Sequence, residues 1–228
     1  MDATIYSWLV ITHLGSASVL MPIFGIAMVG LWRANQYDTV RIWLLMLSFA
    51  IAVTLISKIM FLGWGLGIPS LDFTGISGHA LLATSVLPVL LSWFLGNHGY
   101  RVRAAGAFLG LLVGAVVSVS RVVLGAHSVS EVLIAWMIGL LVSLITLPTL
   151  ISPSRRPWFI WLSPLILLFA FGTSTSTYMQ THDWEIKIAL LLSGHDRPYA
   201  RMRLIEPVGD DRYIHAYPSR RRAMCYPL

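Results

Sequence analysis

The sequence predicts an all-α fold, a multi-pass transmembrane helical bundle of about six spans, and three observations carry that reading. Of 228 residues, 57% are hydrophobic and only 11% are charged, against about 25% charged in a typical soluble domain. Mean hydropathy is +0.75. Six apolar stretches approach or exceed the roughly 20 residues needed to cross a hydrocarbon layer, and short polar or Gly/Pro-containing segments separate them.

The first stretch runs from Ile5 to Trp32. Asp2 stands where a secretory leader carries Lys or Arg, and the apolar run exceeds a leader's core, so a retained first helix is expected. The second runs from Ile42 to Trp64, and the third from His79 to Leu95. The fourth, Ala104 to Leu124, holds Gly106, Gly110 and Gly114 one helical turn apart, a pattern that lets a neighbouring backbone approach closely. Val129 to Leu150 and Trp158 to Tyr178 complete the set. Pro22, Pro88 and Pro164 fall inside spans, where each removes a backbone hydrogen bond. They are tolerable where neighbouring helices satisfy the freed carbonyls. Residues 1–178 are thus expected to form the transmembrane domain and 179–228 a polar, basic tail. Within that tail, Trp184 to Leu192 is either an interfacial element or a buried segment. Cys225, the lone cysteine, has no second thiol in the chain to pair with.

A net charge of +6 and a pI near 9.8 do not imply nucleic acid, because the basic residues do not form an aromatic-interleaved polar surface. They mark orientation instead. Arg33 and Arg41, then Arg101 and Arg103, then Arg155 and Arg156 occupy alternate loops, and Lys and Arg near span ends favour the cytoplasm. The opposite loops carry Lys58 and Arg121. That alternation puts the N-terminus and the polar islands described next on the outer side. Six spans also put the tail outside, although it holds Lys187 and seven arginines against six acidic residues; long segments obey the charge rule less strictly.

Two polar islands interrupt the apolar pattern: Ser77-Gly78-His79, and Ser120-Arg121 followed by His127 and Glu131. Ionisable residues at membrane depth are expensive and mark function by default. His127 and Glu131, four apart, share a helix face. A carboxylate on one imidazole nitrogen fixes the tautomer and raises the basicity of the other, which suits a nucleophile. Ser128 and Glu131 also read as a capping box, which needs no chemistry, and Arg121 as a snorkelling helix-end residue. Ser77 and Gly78 open a helix whose free N–H groups can cradle an anion, with Ser77 able to cap it or to donate to a phosphate oxygen. His79 is placed to protonate a leaving oxygen, or sits at the membrane boundary as an interfacial residue.

With these residues the chain resembles the type 2 phosphatidic acid phosphatase family, the lipid phosphate phosphatases related to bacterial acid phosphatases and vanadium-dependent haloperoxidases. The motifs span Lys58 to Glu131. The family's first motif is Lys, six residues, then Arg-Pro; here Lys58 is followed at that distance by Gly65 and Leu66, and no arginine occurs from Lys58 to Ser77. Its second, Pro-Ser-Gly-His, is kept as Ser77, Gly78 and His79 with Ile76 for proline. Its third, Ser-Arg, five residues, His, three residues, Asp, is kept with Glu131 for aspartate. The resemblance implies His127 as the nucleophile forming a phosphohistidine, Glu131 as its orienting partner, and His79 as the acid for the leaving group. It also implies Lys58, Arg121, Ser77 and the Gly78 amide as holders of the phosphoryl oxygens. Glutamate adds a methylene and can still reach the imidazole. The missing arginine removes an oxyanion donor, a loss of about 2.7 to 4 kcal/mol in comparable sites.

The expected activity is removal of phosphate from a lipid phosphate or an isoprenoid pyrophosphate at the outer face of a bacterial inner membrane, with no cofactor and no metal. The alternatives are a lipid phosphotransferase using the same site, a non-catalytic lipid-binding protein, and a transporter lined by His13. A zinc site of His79, His127 and Glu131 is disfavoured by Arg121, a poor neighbour for a dication. Asp72, the one acid between Lys58 and Ser77, is expected to be solvated or to pair with Lys58.

Overall fold

The computed structural model describes residues 3–96, 99–151, 183–202 and 214–218. The expected first span is two helices, α1 (Ala3–His13) and α2 (Ala17–Arg33). The break falls at Leu14-Gly15-Ser16, where the Ser16 hydroxyl donates to the His13 carbonyl at 2.8 Å. A serine side chain competing for backbone groups ends a helix in this way. Gly15 is obligatory there, since a Cβ would come within 2.5 Å of Val117 and 2.9 Å of the His79 carbonyl.

The remaining elements follow as α3 (Tyr37–Trp64), α4 (Gly78–Phe94), α5 (Tyr100–Val123) and α6 (Val129–Thr146). A further helix, α7, covers 183–193, and a short parallel pair joins β1 (Tyr199–Met202) to β2 (Ile214–Pro218). Among the described residues, four apolar helical segments have the length to cross a membrane, the α1–α2 run counting as one. The expected third span, α4, is shorter at 17 residues, roughly 25 Å. It lies at the centre of the bundle, buried along Ala80–Val86, with α2, α3, α5 and α6 around it. The expected sixth span, Trp158 to Tyr178, lies outside the described residues. Leu45, Phe49, Ile56, Phe108, Met137 and Leu141 point outward from the long helices, which suits a lipid surround better than water.

Small residues explain how tightly α4 is enclosed. Gly106, Gly110 and Gly114 of α5 lie against Leu91, Pro88 and Thr84, and Gly139 of α6 meets Thr84 from the other side. Pro88 cannot donate to the carbonyl four residues earlier. That carbonyl, of Thr84, instead accepts the Ser143 hydroxyl at 2.6 Å, and the neighbouring Ser85 carbonyl accepts Trp43 Nε1 at 3.2 Å. The proline is thus accommodated by α3 and α6, as a buried backbone in lipid requires.

The bundle has two polar ends. At one, the Gln36 side chain accepts from the Ile151 amide, Thr39 donates to the Thr149 carbonyl and Arg103 to the Leu150 carbonyl. At the other lie the α1–α2 break, the 65–77 loop, the α5–α6 turn and α7. Replacing Gly110 by Ala puts a methyl 2.5 Å from Pro88 backbone atoms and is expected to lower stability in detergent by about 1–3 kcal/mol. Gly25→Ala, which meets nothing within 4 Å, serves as the control and should be neutral or slightly stabilising.

Candidate active site

The third motif is two helix ends joined by a fixed turn. After α5, Gly125 takes φ +67°; its N–H bonds the Val122 carbonyl at 3.1 Å and the Ala126 N–H bonds the Arg121 carbonyl at 3.0 Å. Those two bonds define a Schellman stop. The His127 N–H also reaches the Arg121 carbonyl, at 3.2 Å, so this short turn sets the offset between guanidinium and imidazole. The next helix starts at once. The Ser128 hydroxyl accepts from the Glu131 amide at 3.3 Å while Glu131 accepts from the Ser128 amide at 3.0 Å, a reciprocal capping box.

The cap and the carboxylate–imidazole contact coexist in one side chain. Glu131 is fully buried, and Oε2 takes both the Ser128 amide and His127 Nδ1, the latter at 2.8 Å. Its Oε1 accepts the Thr74 amide and hydroxyl, each at 2.6 Å. Four donors stabilise a carboxylate that would be costly to bury bare. An ionised carboxylate only accepts, so Nδ1 of His127 carries the proton and Nε2 presents a lone pair. The imidazole side chain keeps 17% of its surface accessible, enough to be reached from the polar end.

Burial holds the His127 imidazolium below the ordinary histidine range; Glu131 opposes this, while the charges of Arg121 and Lys58 add to it. Arg121 is itself buried in α5, and Nη1 donates to Thr12 Oγ1 at 3.0 Å. The α1–α2 break therefore seats one side of the guanidinium. His13 comes with it and lies within electrostatic range of Arg121 and His79. His79, in the first turn of α4, interacts in turn with Arg121, His127 and Lys58. The two islands are therefore neighbours in space, as are all the site residues expected from them.

At the start of α4, Ser77 is wholly buried, and its hydroxyl caps nothing and finds no hydrogen-bond partner among the described residues. A Cβ on Gly78 would meet nothing within 4 Å, so open space lies beside that backbone. An orphan hydroxyl and an uncovered helix N-terminus suit an anion with oxygen acceptors. Ser120, by contrast, spends its hydroxyl on the Val117 carbonyl at 2.5 Å. Lys58 projects from α3 beside Gly75, and its Nζ bonds Glu185 Oε1 at 2.7 Å. The expected alternative partner, Asp72, does not take that place; Asp72 ends a 3₁₀ turn with φ 52°. Among the described residues, no group of three His, Cys, Asp or Glu side chains is arranged to hold a metal ion.

Residues 61–153 match the PAP2 superfamily. The likeness to that superfamily is confined to this stretch, about two fifths of the chain. The match covers α4, α5 and α6 with both polar islands and leaves Lys58 and Glu185 outside it. A curated relative, an uncharacterized 22.5 kDa protein in the cps region of Klebsiella pneumoniae, is 34% identical over 134 residues, which cover 58% of this chain and 64% of that protein. The chain thus spans just under two thirds of that relative's length. No solved structure matches.

Thr74, Thr12 and His13 join the surroundings of the two islands, and Glu185 reaches them through Lys58. Thr74 and Thr12 carry no sequence signal, being ordinary polar residues beside apolar ones. Glu185 is visible only as an acid in the short apolar run of the tail. Followed by imidazole NMR, His127 is expected to titrate below 6.5, the ordinary value. Glu131→Gln should move that titration to still lower pH, because the lost negative charge is what favours the imidazolium. An upward shift in Glu131→Gln contradicts the assigned contact.

Proposed function

We propose that this chain, like the PAP2 superfamily over residues 61–153, is a membrane phosphatase that releases phosphate from a lipid phosphate or an isoprenoid diphosphate through a phosphohistidine at His127. The observation that carries the reading is the His127 imidazole held at Nδ1 by Glu131, next to an orphan Ser77 hydroxyl and an open Gly78 backbone. Nucleophile, orienting partner and anion cradle are the three parts that phosphoryl transfer by a side-chain nucleophile requires.

In this scheme Nε2 of His127 attacks phosphorus in line with the bond to the leaving oxygen. The P–N bond forms as the P–O bond breaks. His79 gives its proton to the departing oxygen; a bound phosphate dianion beside it favours the imidazolium that this requires. Arg121, Lys58, Ser77 and the Gly78 amide hold the three equatorial oxygens, where charge concentrates in the transition state. Water then attacks the phosphohistidine with His79 taking its proton, the P–N bond breaks, and inorganic phosphate leaves. No cofactor enters the scheme. The substrate reaches the site from the lipid, at the polar end expected to face the periplasm or exterior.

A second reading, a protein that binds lipid phosphates without turning them over, draws on the absence of an arginine between Lys58 and Ser77 and on the engagement of Lys58 by Glu185. Purified full-length protein assayed for phosphate release against phosphatidate, phosphatidylglycerol phosphate and undecaprenyl pyrophosphate separates the two. His127→Ala is expected to lower release by at least about a thousandfold, and Arg121→Ala by about 10²- to 10³-fold. Binding without release by the unaltered chain supports the second reading. Turnover retained by His127→Ala overturns the phosphohistidine scheme.

A further inference from the structure

Helix α7 reaches the site from far along the chain. Glu185, Ala189 and Ser193, spaced one turn apart, share the face turned to α3, and Ala189 is fully buried. The Ala189 carbonyl and Ser193 side chain close on Gly63, and His195 Nδ1 bonds the Gly63 carbonyl at 2.7 Å. The Tyr199 ring then covers Gly65, whose φ of +68° ends α3. Glu185 is therefore presented by a docked helix, not by a loose tail.

Its partner is equally fixed. A Cβ on Gly75 would lie 2.9 Å from Lys58 Cγ and 3.2 Å from its Cα, so the lysine stem is pressed against the chain that leads into Ser77 and Gly78. The side chains of Lys58 and Glu185 retain 24% and 14% exposure. The pair is partly desolvated, and an ion from water can still contend for it. Among the described residues, Arg121 and Lys58 act on both imidazoles and Glu131 on His127, while Glu185 meets Lys58. Glu131 has four donors, and Glu185 sets a carboxylate against Lys58, the cation that the first motif retains.

We propose that Glu185 is a built-in competitor for the anion that Lys58 would otherwise hold, and that this carboxylate sets how tightly the pocket retains phosphate, as substrate or as product. The inference rests on the phosphate-pocket reading above. A carboxylate oxygen at 2.7 Å occupies the ammonium much as a phosphoryl oxygen would. An incoming phosphate must displace it or share the lysine against its repulsion. Such competition weakens retention of inorganic phosphate, which favours release at the end of a cycle.

The test is binding of inorganic phosphate to the purified full-length protein, measured by calorimetry, so that no turnover is needed. Glu185→Gln, nearly isosteric, is expected to lower Kd by about two- to tenfold, with the gain shrinking at high salt. In a Lys58→Met background the same change should leave Kd unaltered. Glu185→Asp, one methylene too short to hold the contact from α7, should shift Kd in the same direction as Gln and covers the case in which Gln fails to fold. Unchanged or weaker binding in the folded variants overturns the proposal, as does an equal gain in the Lys58→Met background. Phosphate release is scored separately: inactivity of the unaltered chain defeats the phosphatase reading, while a failed Kd shift defeats only the role given to Glu185.

Discussion

The site depends on keeping one carboxylate charged inside the protein. Glu131 sits at zero exposure, where an unpaired ion would cost several kcal/mol, and it is sustained by donors from two separate segments. Thr74 in the 65–77 loop supplies an amide and a hydroxyl; Ser128 and His127, at the start of α6, supply the others. Because these bonds must all be made together, the loop that precedes Ser77-Gly78 and the turn that carries His127 are locked to one point. The Ser77 amide approaches the Glu131 carbonyl from the same side, at 3.5 Å. The hub thereby orients the imidazole and joins the two islands.

The same logic accounts for the buried guanidinium. Arg121 lies in an apolar helix, and a cation there persists only with polar company. The interruption between α1 and α2 brings Thr12 and His13 to it, while Gly15 allows the break to nest against His79 and Val117. A continuous first helix has its polar backbone groups satisfied internally and offers the guanidinium little. Splitting it gives up helical bonds at Leu14-Gly15-Ser16 and gains a polar corner over the site. The central helix makes a comparable exchange at Pro88, where Ser143 of α6 restores the lost hydrogen bond of the Thr84 carbonyl.

Much of this was legible in the chain because it is local. Arg121, His127 and Glu131 fall within eleven residues, and their relation follows from a Schellman stop and a capping box, both of which leave marks in Gly125, Ser128 and Glu131. The packing role of Gly106, Gly110 and Gly114 was readable for the same reason, from helical spacing alone. The split of the first span was not, since His13-Leu14-Gly15-Ser16 is a brief polar patch in a run otherwise apolar enough to cross the membrane. Thr74 and Glu185 were out of reach for another reason: they meet their partners across 57 and 127 positions. No periodicity reports contacts of that kind. Lys58 was identified by its motif; Asp72 was expected to be solvated, with a pair to Lys58 as the alternative, and the carboxylate that meets Lys58 comes from the tail.

If Nε2 of His127 takes the phosphoryl group, as proposed, the resulting P–N bond can be trapped. Protein mixed with a lipid phosphate, quenched in alkali during turnover and digested, should yield a peptide containing His127 heavier by one phosphoryl group, with the modification on the imidazole. Steady phosphate release with His127 never modified, or with the phosphoryl group found on another side chain, contradicts the account.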